Sequence, residues 1–250
     1  MAQYATEALI LSVRNWGEAD KMVNFFSKEF GKIAAVAYGC RRPRSPLAGG
    51  MQVFSHLQLQ VMGGNSLDTI KQCETKQTFK QLRENLDCMA YAAFLTEVVN
   101  EVCPERHPEP HIYDLLLNAF QLFSKRNPRL VALAAGYRIL EYTGYQPNYE
   151  QCVVCGKHIA TDSFFSLSKG GIVCEACKEL PQISFSLKMR DFINQLLALN
   201  WEEPQSFSVS GAVLMQVEKL LIDYLHFILE KPLKSLEFIQ QLAELPKVHT

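Results

Sequence analysis

Cys152, Cys155, Cys174 and Cys177 are spaced C-x2-C, eighteen residues, C-x2-C. Each Cys-x-x-Cys turn offers two thiolates on one side of a tight loop, and the hairpin between the pairs brings the second across from the first. That spacing is the one a tetrahedral zinc ion takes in a zinc ribbon. Four thiolates close the coordination sphere and leave no position for a reacting water, so the expected cofactor is one structural Zn2+. His158 is near enough to compete but surplus. A thioredoxin-like redox centre would need a single pair at a helix N-terminus after a strand, not two matched pairs. Cys40, Cys73, Cys88 and Cys103 stand singly and read as ordinary structural thiols.

The second chemical signal is GCRRPRSPLAGG, residues 39–50, which sets Arg41, Arg42 and Arg44 among glycines and prolines, with no acidic residue between Glu29 and Asp68. Three guanidiniums within four positions repel one another unless an anion sits opposite, and the planar guanidinium fork suits phosphate oxygens. Pro43 and Pro46 restrict the loop and lower the entropy lost on clamping a ligand. Arg14 and Lys32 add charge in the same region, with Lys71, Lys76 and Lys80. Tyr4, Trp16, Phe25, Phe26, Tyr38 and Phe54 include surfaces on which bases can stack. A basic loop beside aromatic residues is the pattern of a single-strand binder.

Catalytic signatures are missing. The chain has no G-x-x-x-x-G-K-[ST] phosphate loop, H-E-x-x-H, G-x-S-x-G elbow or dinucleotide-binding glycine fingerprint. Pro108 and Pro110 break any helix that would align His107 with His111. His56 and His226 read as structural or solvated, and acidic pairs such as Glu97 and Glu101 as caps and solvated faces. No catalytic residue is expected.

These groups need elements to hold them. From Tyr4 to Thr78, ATEALILSV, KIAAVAYG, MQVFSHLQLQVM and SLDTIKQCE read as short strands separated by turn signals, while Asp20 to Phe30 is ambiguous. About five strands with no covering helix predict a closed five-stranded barrel of the oligonucleotide-binding (OB) fold. After Phe79 the period changes to 3.6. Helices are expected over Asp87 to Val102, along Ile112 to Phe123, along Leu130 to Leu140 ending at Gly144, and from Val213 to Leu229. The four cysteines interrupt this helical part with a hairpin of Asp162 to Leu167 and Gly170 to Val173. The expected class is α+β multidomain: an OB barrel over residues 1–80, then an all-helical domain over 81–250 with a zinc-binding insertion at about 150–180.

Charge divides along the same line. Residues 1–80 carry ten Lys and Arg against six Asp and Glu, and residues 81–250 carry fifteen against twenty. A polyanion therefore meets the N-terminal part first. The acidic helical half is better suited to protein partners. No apolar run reaches the roughly 20 residues of a membrane span, and the N-terminus lacks a secretion signal, so a cytoplasmic, nucleoid-associated protein is expected.

The order of features resembles the RecO family of bacterial DNA repair and recombination proteins. The resemblance rests on Gly17-Glu18 to Asp20, Gly31-Lys32, the run Gly39 to Ser45, and Gly144-Tyr145 to Pro147 followed by Cys152-x-x-Cys155-Gly156. It implies binding of single- and double-stranded DNA, annealing of complementary strands, binding of the tail of the single-stranded DNA-binding protein, and action with RecR to help load RecA. On that basis Arg41, Arg42 and Arg44, with Arg14 and Lys32, are expected at phosphate, and Arg126 and Arg129 in the junction Lys125 to Arg129 at the acidic, aromatic-ended tail. A zinc-ribbon transcription factor and a zinc or redox enzyme are the alternatives.

Overall fold

Five strands close on themselves in the order β1-β2-β3-β5-β4 in the computed structural model, which describes residues 2–180, 182–201 and 209–244. The strands are β1 (Gln3–Trp16), β2 (Asp20–Ser27), β3 (Gly31–Ala37), β4 (His56–Met62) and β5 (Asp68–Gln77). β1 is long enough to pair with both β2 and β4, and a short parallel pairing of Ala35 and Val36 with Asp68 and Thr69 completes the ring. This is the expected OB barrel. Alternate residues fill it: Ala8 and Ile10, Val23 and Phe25, Ile33 and Ala35, Leu57, Leu59 and Val61, and Ile70. Each large side chain buried there contributes about 1.5–3 kcal/mol relative to exposure.

The ambiguous segment after Asp20 is a strand. Its alternation was hidden because both faces are covered: Phe25 points into the barrel, while Phe26 and its register partner Leu9 lie on the outer face and are also fully buried. Conversely, Met51–Phe54 does not extend β4. Phe54 takes a left-handed conformation (φ 69°) and packs edge-to-face on Phe120 at 5.5 Å, so the strand starts only at His56.

A short helix α1 (Lys80–Glu84) leads to α2 (Leu86–Val102), which packs beside β1 and is capped by Asn85, whose side chain accepts from the Cys88 amide. After α3 (Pro110–Phe123) comes α4 (Pro128–Tyr142). The last helix, α7 (Lys234–Glu244), was not expected from sequence. It returns to pack on α2, and the Glu97 carboxylate accepts from the amides of Lys234 and Ser235 at 2.9 and 2.8 Å. Glu97 is thus a helix cap, as its sequence context suggested. His56 is also structural, buried with Nε2 3.0 Å from the Tyr113 hydroxyl and 2.8 Å from Glu7.

The described residues form two compact units. One comprises those up to Ala132 and from Leu233 on, and the other runs from Leu133 to Pro232. The cut falls inside α4 and not at residue 80, because α1, α2, α3 and α7 cluster with the barrel. Phe79, for example, packs edge-to-face on Phe120 at 5.6 Å.

The second unit holds the C-terminal part of α4, α5 (Leu187–Leu197), α6 (Gly211–Leu229) and a small sheet. The expected hairpin is present as β6 (Ser163–Ser166) and β7 (Gly171–Val173), and β8 (Ile183–Phe185) adds a third strand, giving β7-β6-β8. Tyr149 stacks on Phe185 at 5.7 Å, and Phe165 meets Tyr224 of α6 edge-on at 5.8 Å, which ties sheet to helix. Tyr137 of α4 donates to the Val217 carbonyl of α6 at 2.9 Å. Among the described residues no helix is long and apolar enough to cross a membrane.

Candidate nucleic-acid interface and metal centre

The arginine loop is a built structure. Cys40, Leu47 and Met51 turn inward and join the barrel core, which pins residues 38–55 at three points over one end of the barrel. Backbone bonds fix the rest. The Gly39 amide donates to Asp20 Oδ1 (2.7 Å), the Arg41 amide to the Ala19 carbonyl (2.8 Å) and the Ser45 amide to the Arg42 carbonyl (3.2 Å), while Lys21 Nζ donates to the Met51 carbonyl (2.8 Å). The loop is therefore laced to the β1–β2 turn. Arg44 itself sits in the left-handed region at φ 62°.

With the apolar residues turned inward, Arg41, Arg42 and Arg44 are left exposed. Arg41 donates to the Gly17 carbonyl at 3.3 Å, and among the described residues no carboxylate pairs with any of the three. The loop thus presents its three guanidiniums beside the β1–β2 turn, which carries the exposed Glu18. Because the loop is held by backbone bonds and buried anchors, little ordering remains to oppose capture of an anion.

Arg14 belongs to the same end. It lies on the outer face of β1, where its guanidinium donates to Met22 Sδ and lies 5.8 Å from the Trp16 ring centroid. Lys32 has another task. Its ammonium donates to the Asn100 carbonyl in the last turn of α2, and its own carbonyl accepts from the Arg106 amide at 2.9 Å. A cation at a helix C-terminus complements the dipole there, so Lys32 fastens barrel to helix.

Of the six aromatics considered for stacking, Phe25, Phe26 and Phe54 are buried, and Tyr4 is bonded to Asp68 and packed against Phe30. Only Trp16 (45% exposed) and Tyr38 (59%) remain on the surface, both beside the loop. Sequence reading gave Lys21 no role and took Asp20 as the end of the Gly17-Glu18 to Asp20 pattern. Their signal is weak, being one acidic and one basic residue after a tight turn, yet Asp20 carries the Gly39 amide and Lys21 the Met51 carbonyl.

The Sγ atoms of Cys152, Cys155, Cys174 and Cys177 all lie within 4.8 Å of one another. A zinc ion with Zn–S bonds of about 2.3 Å sets its four sulfurs about 3.8 Å apart at the corners of a tetrahedron. Cys155 and Cys174 are separated by 3.8 Å. The first turn is closed by the Gly156 amide on the Cys152 carbonyl (2.8 Å), with Gly156 at φ 73°, and by the Cys152 amide on Lys157 (2.9 Å). The second pair sits on a single 3-10 turn, Glu175–Cys177, directly after β7.

Burial opposes ionisation of Cys152, but the backbone amides of Cys155, Cys174 and Val154 outweigh it and bring the thiol down to about 6. Hydrogen bonds among the sulfurs push Cys177 up to about 12. Thiols so close cannot all be anionic without a cation between them, which is the electrostatic signature of a metal cage. His158 lies outside the group.

Arg126 lies in the α3–α4 junction, whereas Arg129 is already in the first turn of α4. Asn127 starts α4 there, its side chain accepting from the Arg129 amide at 3.0 Å.

A family model described as Recombination protein O N terminal matches residues 1–79, and one described as Recombination protein O C terminal matches residues 83–237. This chain belongs to the RecO family. Relatives bearing the name DNA repair protein RecO agree. That of Symbiobacterium thermophilum is 34% identical over 249 residues, covering 97% of this chain and 98% of the relative. Those of Pelotomaculum thermopropionicum and Alkaliphilus metalliredigens are 31% identical over 248 residues and 33% over 244, covering 98% and 95% of this chain and 97% and 98% of the relatives. The two RecO family matches meet near residue 80, at the end of the barrel, whereas the compact units divide within α4.

Proposed function

We propose that this RecO-family protein is a DNA repair and homologous recombination mediator that works by binding and not by catalysis. It binds single- and double-stranded DNA at the Arg41, Arg42 and Arg44 rim, assisted by Arg14. It anneals complementary strands and, with RecR, helps load RecA onto DNA coated by the single-stranded DNA-binding protein. The observation that carries this reading is the rim itself: three exposed guanidiniums without carboxylate partners among the described residues, held by backbone hydrogen bonds at one end of an OB barrel. Phosphate is the ligand that matches such a fork array, and neutralising it releases counterions. Relatives named DNA repair protein RecO support the biological setting.

The metal in this reading is one Zn2+ held by Cys152, Cys155, Cys174 and Cys177. When bound it supplies a cross-link between the two Cys-x-x-Cys turns and the β6–β7 hairpin. The helical part, with Arg126 and Arg129, receives the acidic tail of the single-stranded DNA-binding protein. Location is cytoplasmic, on the nucleoid. Mixing labelled complementary strands with the protein tests the core of the proposal: the wild type accelerates annealing, and Arg41→Glu/Arg42→Glu loses most of that acceleration. Equal annealing by both would remove the rim from the function.

A further inference from the structure

The barrel carries a second kind of surface beside the arginines. In β1–β2 pairing Arg14 is opposite Met22 and Trp16 is opposite Asp20; in β2–β3 pairing Met22 is opposite Val36 and Lys21 is opposite Ala37. Continuing that register by one residue sets Tyr38 beside Asp20, and the Gly39 amide bonded to Asp20 Oδ1 holds it there. Partners across strands share a face, and Val13, Val23 and Ala37 point into the barrel. Arg14, Trp16, Asp20 and Tyr38 therefore share the outer face of strands β1 to β3.

Large aromatics on that face are costly to leave in water, and Trp16 and Tyr38 are more exposed than Phe30, at 45% and 59% against 39%. Trp16 has Arg14 near its ring at 5.8 Å, which limits its rotamers. Trp16 and Tyr38 stand two strand spacings apart, about 10 Å. The Arg41, Arg42 and Arg44 rim borders the same row, because the Arg41 side chain reaches Gly17 and its amide reaches Ala19. A chain of phosphates engaged by the rim would run alongside two exposed aromatic rings.

From this juxtaposition, and resting on the proposal that the rim engages phosphate, we infer that Trp16 and Tyr38 form a base-stacking platform that takes unpaired nucleobases. The rings engage single strands in this way and leave duplex to the arginines alone. In a duplex the bases are already stacked on one another and offer the rings no face, while the phosphates remain available to the arginines.

The test compares the full-length protein's affinity for oligodeoxythymidine with that for an abasic deoxyribose-phosphate oligomer of equal length, at one salt concentration. Wild type binds the base-bearing strand more tightly, by about tenfold for each ring engaged. Trp16→Ala/Tyr38→Ala reduces that ratio to near one, and Trp16→Phe/Tyr38→Phe restores most of it, which separates stacking from misfolding. With Trp201 changed to Phe, leaving Trp16 as the sole tryptophan, fluorescence is quenched by oligodeoxythymidine and not by the abasic strand. An unchanged ratio in the double alanine variant, or no ratio in the wild type, overturns the platform. Arg41→Glu/Arg42→Glu tests the phosphate reading separately, since it should weaken both polymers; retention of both affinities would sink the rim while leaving the ratio to judge the rings.

Discussion

Asp68 accepts a hydrogen bond from Arg106 Nη2 at 2.6 Å, joining the start of β5 to the segment after α2. The Asp68 side chain is 0% exposed, and it also accepts from the Gly64 amide (2.9 Å) and the Tyr4 hydroxyl (2.5 Å). Burial by itself would raise its pKa. The donors of Arg106, Gly64 and Tyr4 outweigh burial and hold it below the usual carboxylate range.

The sign of the pH effect follows. A folded pKa below the unfolded value of about 3.9 gives stability that is present above that value and is lost as pH falls through the folded one. Asp68→Asn should lower stability at neutral pH by about 2 kcal/mol and weaken the further loss on acidification below about pH 4. Urea unfolding at neutral and acid pH checks this. Equal stability of variant and wild type at neutral pH would show that the pair is idle.

Gly31→Ala should be among the most damaging single changes in the barrel. Gly31 sits at φ 71°, and a Cβ there would lie 2.0 Å from the His107 carbonyl oxygen, a backbone atom with no side-chain freedom to yield. Strain and clash together should cost about 3 kcal/mol or more. Thermal melting of the purified variant measures it, and a melting temperature equal to wild type would contradict the close approach.

Metal removal should act on stability and thiol exposure. The protein should contain one zinc per chain by elemental analysis, and chelation should make the four thiols of Cys152, Cys155, Cys174 and Cys177 titratable while lowering the melting temperature. Cys174→Ser should lower metal content in the same way. Cobalt replacement should give the thiolate charge-transfer spectrum of a tetrahedral site. Full metal content in the Cys174→Ser protein would mean that the cage is not the site.

Arg126→Glu and Arg129→Glu should each weaken binding of a peptide carrying the acidic tail of the single-stranded DNA-binding protein, by about 3- to 10-fold for loss and reversal of one rim charge. Anisotropy titration with a labelled tail peptide reads this directly. Wild-type affinity in both variants would place the tail elsewhere.

The sequence showed what simple periods encode, and the misses have physical causes. Leu57, Leu59 and Val61 alternate cleanly because one face of β4 meets the barrel core, whereas β2 is buried on both faces and shows no alternation. Phe54 has the parity opposite to Leu57, Leu59 and Val61, which reads as a second strand face, but it leaves the sheet at positive φ to meet Phe120. The helix α7 depends on Glu97, 137 residues away in sequence, for its N-terminal cap. At the site, the cysteine spacing alone specified the metal cage. The Arg loop was legible as charge, but not as a segment anchored in the core, because Cys40 and Leu47 look like ordinary loop residues and Met51 like the start of a strand until the barrel end is in place. Lys32 counted as one more basic residue until the end of α2 came within reach of its ammonium.

The most direct test of the central claim is a salt-series titration of full-length protein with labelled single-stranded DNA, wild type against Arg41→Glu/Arg42→Glu. The full chain is the appropriate sample, since Phe54 and Phe79 pack on Phe120 outside the barrel. The rim predicts weaker binding by the variant and a slope of log affinity against log salt that is shallower by about 0.7 for each phosphate the variant no longer neutralises, with the melting temperature preserved. An affinity and slope identical to wild type would show that DNA binds somewhere else.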